Sequence, residues 1–324
     1  MKIPVLDANL ETNIPGLYMA GSLIDAECIR VAANQGHRIA KRVAGQVKMS
    51  GPAPLGVKDL LVAGAGPAGL NAALTAKAHG LEVAVFDQYF LASTILAMPA
   101  GKIFDPNYKG NNDPGEGPLW FEGSPAPILH SRWMDQIKEY GLSVNDNDPV
   151  INIVRDKSTG LFHVTTSCGK HMARFVLLSI GKSGHPRQLE VPGESDLAYR
   201  KRLHYRYRGP GTVKGKDILV VGGGNTAVEA LLGLAPDNHV TLSYRKGEFE
   251  RLTPKNKTDL SQLSNEGALH IMLNSEVVRI DEDEAHFLVK GQPIDRKFDE
   301  YFILIGFELP VDLLNRIGVE LKES

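Results

Sequence analysis

Cysteine is nearly absent from this chain: Cys28 and Cys168 are the two in 324 residues. Two thiols that far apart exclude a disulfide framework, a CxxC redox pair and a cysteine zinc site, and their scarcity fits a reducing cytoplasm. A charge excess is also missing. Thirty-six basic residues against thirty-eight acidic ones leave a formal net charge of −2, so no global field draws nucleic acid or anionic lipid. Neither is expected as a partner. The opening MKIPVLDANLETNIPG has no basic region followed by an apolar core, so it does not read as a signal peptide. The longest uncharged run, Leu60 to Ala76, falls short of the ~20 residues of a membrane span and is broken by glycines and a proline. We expect no membrane segment and a cytoplasmic protein.

The length suits about two domains of roughly 150 residues each, and two segments supply a nucleus for each. The first, KDLLVAGAGPAGLNAALTAKAHGLEVAVFDQ at residues 58–88, reads as strand, glycine turn, Ala-rich helix and second strand. Gly64 permits the tight turn, Gly66 lets the backbone approach a pyrophosphate, and Gly69 lets the helix pack on the strand. With Pro67 and Ala68 they form the expected phosphate cradle at a helix N-terminus. Asp87, followed by Gln88, ends the second strand, where a carboxylate can accept ribose hydroxyls. The bland alternative is a tight packing turn that binds nothing.

The second segment, KDILVVGGGNTAVEALLGLAPDNHVTLSYRK at residues 216–246, repeats the order. Gly222, Gly224 and Ala227 take the fingerprint positions, and Asn225 and Thr226 open the helix. Its second strand ends in Tyr244, Arg245 and Lys246, with Arg251 nearby, where the first had Asp87. Cations there attract a 2′-phosphate, which favours NADPH, with NADH possible. A solvated basic loop is the alternative.

The chain resembles the two-dinucleotide-binding flavoproteins, in particular the low-molecular-weight thioredoxin reductase-like branch of the pyridine nucleotide-disulfide oxidoreductases. FVLLSIGKSGHPRQLEVPGE at 175–194 resembles the exit from that family's FAD domain, FDEYFILIGFELP at 298–310 its return strand, and SYRKGEFERL its basic NADPH loop. In the loop, Tyr244 stands where a histidine is frequent and the last arginine is displaced by one. The resemblance implies an α/β fold of two Rossmann-like three-layer domains, with FAD in the first, NADPH in an inserted second, and a homodimer. One phrase is out of place. NIPGLYMAGSL at 13–23 resembles the family's closing segment but stands near the start, while the C-terminal LLNRIGVELKES stops where that segment would follow. We therefore expect a circularly permuted order, with residues 1 and 324 close together. Residues 1–47, 57–187 and 307–324 would form the FAD domain, 48–56 a Gly/Pro-rich linker, and 188–306 the NAD(P)H domain. The rivals are a remnant of an upstream tandem copy and a cut from a longer chain.

By the same resemblance Gly21, Ser22 and Gly181 approach the flavin ribityl and pyrophosphate, Gly21 and Ser22 beside Gly64 and Gly66. Ser22 replaces the usual acid. The helix starting around Arg30 and Val31 would aim its N–H groups at the flavin O2. Arg30 and Lys102 are the candidate contacts near the flavin ring, the flavin itself carrying the redox chemistry. Hinges are implied near Pro186–Gly193 and Gly306–Pro310. Residues 188–306 contain no cysteine, so thioredoxin reduction by an internal CxxC is excluded, and the glycine loop lacks the cysteine associated with bacillithiol-type reductases. Cys28 is a reactive thiol or, more simply, an inert one. What remains is electron transfer from NADPH through flavin to an external acceptor, a ferredoxin-like carrier or a small molecule. The basic stretch at 199–216, with Arg200, Lys201, Arg202, Arg206, Arg208, Lys214 and Lys216, is a candidate face for an acidic carrier or for the NADPH phosphates, the alternative being a basic solvated connector. The alternatives are a degenerate dinucleotide-binding sensor and a small-disulfide reductase. His130, Trp120 and Trp133 read as packing residues.

Overall fold

Apolar residues near the N-terminus build two elements of the larger unit. The computed structural model describes residues 2–26, 28–96, 98, 103–105, 113–182, 184–209, 211, 213–265 and 269–323. It divides into two units, Met1–Leu96 with Ala100–His185 and Leu309–Ser324, and Ala97–Pro99 with Pro186–Glu308. After β1 (Lys2–Pro4) comes β2 (Leu17–Met19), wholly buried, and a 3-10 turn over Gly21–Ile24. Helix α1 (Ile29–Ser50) follows. Its buried Ala32, Ala33, Gly36, Ile39, Ala40, Val43 and Val47 recur at helical spacing and form one apolar stripe. The helix runs three residues into the segment expected to be the 48–56 linker.

The first glycine motif folds as β3 (Val57–Ala63), α2 (Pro67–Ala78) and β4 (Val83–Phe86). Helix α2 is buried on nearly every side, as its lack of charge before Lys77 requires. Then come α3 (Ala126–Glu139), β5 (Val144–Asn145), β6 (Val150–Arg155), β7 (Phe162–Thr166) and β8 (Lys170–Leu178). The sheet order is β5–β4–β3–β8–β7–β6. Strands β5, β4, β3 and β8 are parallel, and β8, β7 and β6 form an antiparallel meander. The first half of β8 pairs with β7, while its second half pairs in parallel with β2, Val176 opposite Leu17. Alternate residues of β3 feed two cores: Leu60 and Val62 pack with Ile39, Leu70 and Trp133, and Leu61 and Ala63 with Met19, Phe86 and Val176.

The second unit contains β9 (Leu203–His204), β10 (Asp217–Val221), α4 (Asn225–Leu234), β11 (His239–Tyr244), α5 (Pro254–Asn265) and β12 (His270–Leu273). An antiparallel meander follows, β13 (Ser275–Ile280), β14 (Glu284–Val289) and β15 (Gln292–Lys297), then β16 (Glu300–Ile303). The main sheet is parallel, in the order β9–β16–β10–β11–β12. The segments expected to act as hinges pair with each other: the Arg187 N–H donates to the Gly306 carbonyl at 3.0 Å, and Pro186 bridges Phe307.

The chain returns to the larger unit as α6 (Val311–Ile317), whose Leu314 and Ile317 join the second core, and β17 (Leu321–Glu323). Strand β17 pairs antiparallel with β1, Lys2 opposite Glu323 and Pro4 opposite Leu321. The Asn13 side chain seals the corner by donating to the Gly318 carbonyl and accepting from the Glu320 N–H, both at 2.9 Å. The two ends of the chain thus form one ribbon. Both units have the Rossmann-like α/β architecture that the two glycine motifs imply.

Candidate functional site

The glycine turn of the larger unit is shaped by two different demands. Gly64 has φ +105°, and a Cβ there would stand 2.4 Å from the Ser179 carbonyl oxygen. A Cβ at Gly69 would stand 1.9 Å from the Gly64 oxygen. The protein's own packing therefore requires both glycines. Gly66 differs: a Cβ built on it meets nothing within 4 Å. It is the N-cap of α2, with no side chain capping the helix and Pro67 at the first position. Open space before an uncapped helix start is where a phosphate fits.

Asp87 stands beside this turn. Its Oδ2 accepts from the Ala65 N–H at 2.7 Å and its Oδ1 from the Tyr89 N–H at 2.9 Å. Burial raises its pKa above the usual carboxylate value, although both amides work in the opposite direction. Gln88 beyond it is exposed. Gly21 reaches the same place from the N-terminal segment: a Cβ there would contact the Ala68 Cβ at 3.4 Å, and its N–H donates to Gln35 Oε1 at 2.9 Å. Ser22 follows, exposed. Gly181, after β8, has φ +64°, and Lys182 pairs with Asp25. The expected set Gly21, Gly64, Gly66, Pro67, Ala68, Gly69 and Asp87 is thus gathered around one helix start. Ser179 was not foreseen: its hydroxyl donates to the Ala63 and Gly64 carbonyls at 3.0 and 2.9 Å, fixing the turn from the neighbouring strand.

Other expectations meet different surroundings. Helix α1 starts at Ile29 with Cys28 as its N-cap, and the Val31 N–H donates to the Cys28 sulfur at 3.5 Å. The Arg30 guanidinium donates to the Asp113 and Phe121 carbonyls at 3.1 and 3.5 Å and lies over the Phe121 ring. Lys102 lies outside the described residues. Trp133 is wholly buried, its indole N–H donating to the Trp120 carbonyl at 2.7 Å.

A polar clamp between α1 and α2 was likewise not anticipated. Asn71, fully buried, donates to the Ala33 and Glu116 carbonyls at 2.8 and 2.7 Å and accepts from the Leu119 N–H at 3.0 Å. Asn34 donates to the Pro114 carbonyl and accepts from the Glu116 N–H, both at 2.9 Å. Arg38 pairs with the Glu116 carboxylate. Segment 113–121 is thereby tied down beside the glycine turn's helix. The signal was an asparagine in the middle of the otherwise apolar PAGLNAALTA.

His37 borders this clamp, its Nδ1 2.8 Å from the Thr75 hydroxyl. Burial, with the charges of Lys41 and His79, lowers its pKa below the ordinary histidine value, and Glu116 opposes the shift. A histidine that resists protonation in the fold but accepts it when unfolded withdraws stability as the pH falls below its unfolded value of about 6.5. We expect the unfolding free energy to decline between about pH 7 and pH 5, and His37→Gln to flatten part of the decline. Urea titrations at the two pH values measure it, and an unchanged slope in the variant would refute the assignment.

In the second unit β10 delivers Gly222, Gly223 and Gly224 to the start of α4. A Cβ at Gly224 would meet nothing within 4 Å, whereas one at Gly223 would strike the Tyr244 ring at 2.2 Å. Tyr244 stacks on Phe249 with ring centroids 5.3 Å apart. Asn225, the first residue of α4, accepts from the Thr253 N–H and the Asn256 side chain, each at 2.9 Å, and donates to the Arg251 carbonyl at 3.3 Å. Thr226 follows it in the first turn. The basic loop is therefore fastened to the helix start, with Arg245 and Arg251 exposed and Lys246 paired with Glu250 at 2.6 Å.

Three cations of the basic stretch at 199–216 have partners within the second unit. Arg200 pairs with Glu282 at 2.6 Å and Lys214 with Asp237 at 3.3 Å. Arg202 donates to the Asp299, Glu282 and Phe298 carbonyls. Arg202 is thereby tied to backbone in and just after the meander, whereas the pairs of Arg200 and Lys214 are exposed at the surface.

Residues 61–324 match the family described as pyridine nucleotide-disulphide oxidoreductase. The chain belongs to that family. It is a nucleotide-dependent flavoprotein oxidoreductase. A ferredoxin–NADP reductase of Ignicoccus hospitalis is 27% identical over 274 residues, covering 82% of this chain and 83% of the relative. Among solved structures, bacillithiol disulfide reductase of Staphylococcus aureus superposes with a TM-score of 0.73 at 23% identity, covering 83% of this chain and 82% of that one. The thioredoxin reductase of T. acidophilum superposes at 0.66 with 22% identity, covering 83% of each chain. At those identities the two structures attest the fold of this oxidoreductase, thioredoxin reductase-like and built of two Rossmann-type units. Among the described residues no helix is long and apolar enough to cross a membrane, and no His/Cys/Asp/Glu cluster could hold a metal ion.

Proposed function

We propose that this oxidoreductase takes hydride from NADPH, held by the second unit, onto FAD, held by the larger one, and passes electrons to an external acceptor of the ferredoxin type. The observation that carries the reading is the pair of open glycine cradles, Gly66 and Gly224, each at an uncapped helix start. Bound flavin supplies the step from two-electron donation by a nicotinamide to one-electron delivery. The protein's part is positional. Gly66 admits a pyrophosphate against the α2 N-terminus, and Asp87, kept in place by two backbone N–H groups, offers its remaining lone pairs to ribose hydroxyls. Gly21 and Ser22 close the cradle from the N-terminal segment. In the second unit Arg245, Lys246 and Arg251 face a 2′-phosphate. The relatives named as ferredoxin–NADP reductases and the absence of cysteine between 188 and 306 favour an acceptor outside the chain over an internal dithiol.

The order of the pieces supports a circular permutation of this family's usual arrangement. The ribbon of β1 and β17 would be the family's internal connection, opened between the two strands and held together by their pairing, and β2 with α1 would complete the FAD unit. A homodimer in the cytoplasm completes the reading. Anaerobic titration tests it: the purified protein carries flavin absorbance, NADPH bleaches it, and a ferredoxin restores it faster than small disulfides or quinones do. A colourless protein that cannot be reconstituted with FAD refutes the reading.

A further inference from the structure

The basic loop that faces the nucleotide carries its own acid. Lys246 Nζ stands 2.6 Å from Glu250 Oε2, one helical turn's spacing along the chain. Lys246, through its hydrogen bond and then its charge, holds the Glu250 carboxyl below the usual range, with Arg251 adding to the effect. The pair is not a chance meeting of two loose side chains. Phe249, just before Glu250, is stacked on Tyr244, whose ring rests on the glycine turn. Arg251, just after it, has its carbonyl held by Asn225 at the start of α4. Both chain neighbours of Glu250 are thus fastened to the glycine turn and its helix, and its carboxylate is presented to Lys246, one of the loop's cations.

We infer that Glu250 is a specificity-determining residue, its carboxylate holding on Lys246 the place that the 2′-phosphate of NADPH takes. The inference rests on the reading of the second unit as an NADPH site. A nucleotide bearing that phosphate must displace Glu250 and leave an unpaired carboxylate near a dianion, whereas one bearing a 2′-hydroxyl need not. Glu250 therefore lowers the discrimination in favour of NADPH below what Arg245, Lys246 and Arg251 would give unopposed, because specificity is a difference of two affinities.

Calorimetric titration of the holoprotein with 2′,5′-ADP and with 5′-AMP tests it, since neither probe carries a nicotinamide and no turnover is read. Glu250→Gln keeps the shape and removes the charge. It should bind 2′,5′-ADP about threefold to tenfold more tightly, as a freed charge-assisted contact at a half-exposed site allows, while 5′-AMP binding changes by less than about twofold. In a Lys246→Ala background the gain should largely vanish. Unchanged or weaker 2′,5′-ADP binding, equal gains for both probes, or a full gain without Lys246 would each overturn the inference. A wild-type protein that binds 5′-AMP as tightly as 2′,5′-ADP while Glu250→Gln separates them would support it. One that binds neither would refute the nucleotide reading itself.

Discussion

Gly66→Val is expected to empty the flavin site while leaving the cofactor-free fold intact. At this position φ is −84° and ψ −173°, an extended conformation that a β-branched residue adopts readily, and a Cβ meets nothing within 4 Å. The new Cβ therefore has room. What it fills is the space before the α2 N-terminus, through which a pyrophosphate must come against the backbone. Loss of that approach should cost at least about a hundredfold in FAD affinity, because the phosphate loses helix-end hydrogen bonds of ~1.5–3 kcal/mol each. Gly69→Ala is the contrasting variant. Its methyl would stand 1.9 Å from the Gly64 oxygen, so folding itself should suffer. Flavin content per protein and the melting temperature of the stripped protein separate the two. A Gly66→Val protein that purifies fully yellow would show that the cradle is not where FAD binds.

The second large effect is expected far from any nucleotide atom. Asn71→Ala should destabilise the larger unit by ~2–5 kcal/mol, since each buried group left without its partner costs ~1–3 kcal/mol and two are stranded, the Glu116 carbonyl and the Leu119 N–H, while the Ala33 carbonyl, inside α1, loses its second hydrogen bond. Water can reach part of the gap, which keeps the sum below the upper limit. The variant should also loosen segment 113–121, whose remaining ties include those of Asn34 and Arg38, the donation of Arg30 to the Asp113 and Phe121 carbonyls, and the hydrogen bonds of Trp133 and Gln136 with Trp120 and Pro118. Urea unfolding gives the free energy, and limited proteolysis reports the segment. A loss under about 1 kcal/mol, within the range of an ordinary surface change, would mean that the clamp is replaced by solvent at little cost.

These two residues mark the boundary of what the sequence discloses. Gly64, Gly66, Gly69 and Asp87 were legible because their chemistry is local: a strand, a turn and a helix in one continuous stretch impose their own spacing. The same holds for Gly222, Gly224 and the basic loop. Asn71 was not, because its meaning depends on residues 33, 116 and 119 that only the fold brings to it. Glu194 is similar. Only 4% exposed, it accepts from the Leu189 and Glu190 N–H groups and the Tyr205 hydroxyl, yet in VPGESD it looks like any acid at a helix start. Charge is least informative at 199–216. Counting cations along a segment says nothing of carbonyls and carboxylates that folding delivers from 282–299, and Arg200 and Arg202 are spent there. The phrase NIPGLYMAGSL was read by likeness, while its partner, the second half of β8, becomes visible when β2 is seen lying beside it.

The ribbon of β1 and β17 bears on the order in which this protein acquires its structure. Lys2 and Glu323 are neighbours across a very long separation in the sequence, so β1 waits for β17. Residues 186–308 form a continuous segment with most of its pairings inside it, and such a segment can fold while synthesis continues. The larger unit cannot close its ribbon until β17 has been made. That closure spans a very long loop, a slow kind of contact to find, whereas β2 can pair with β8 and pack on β3 before it forms.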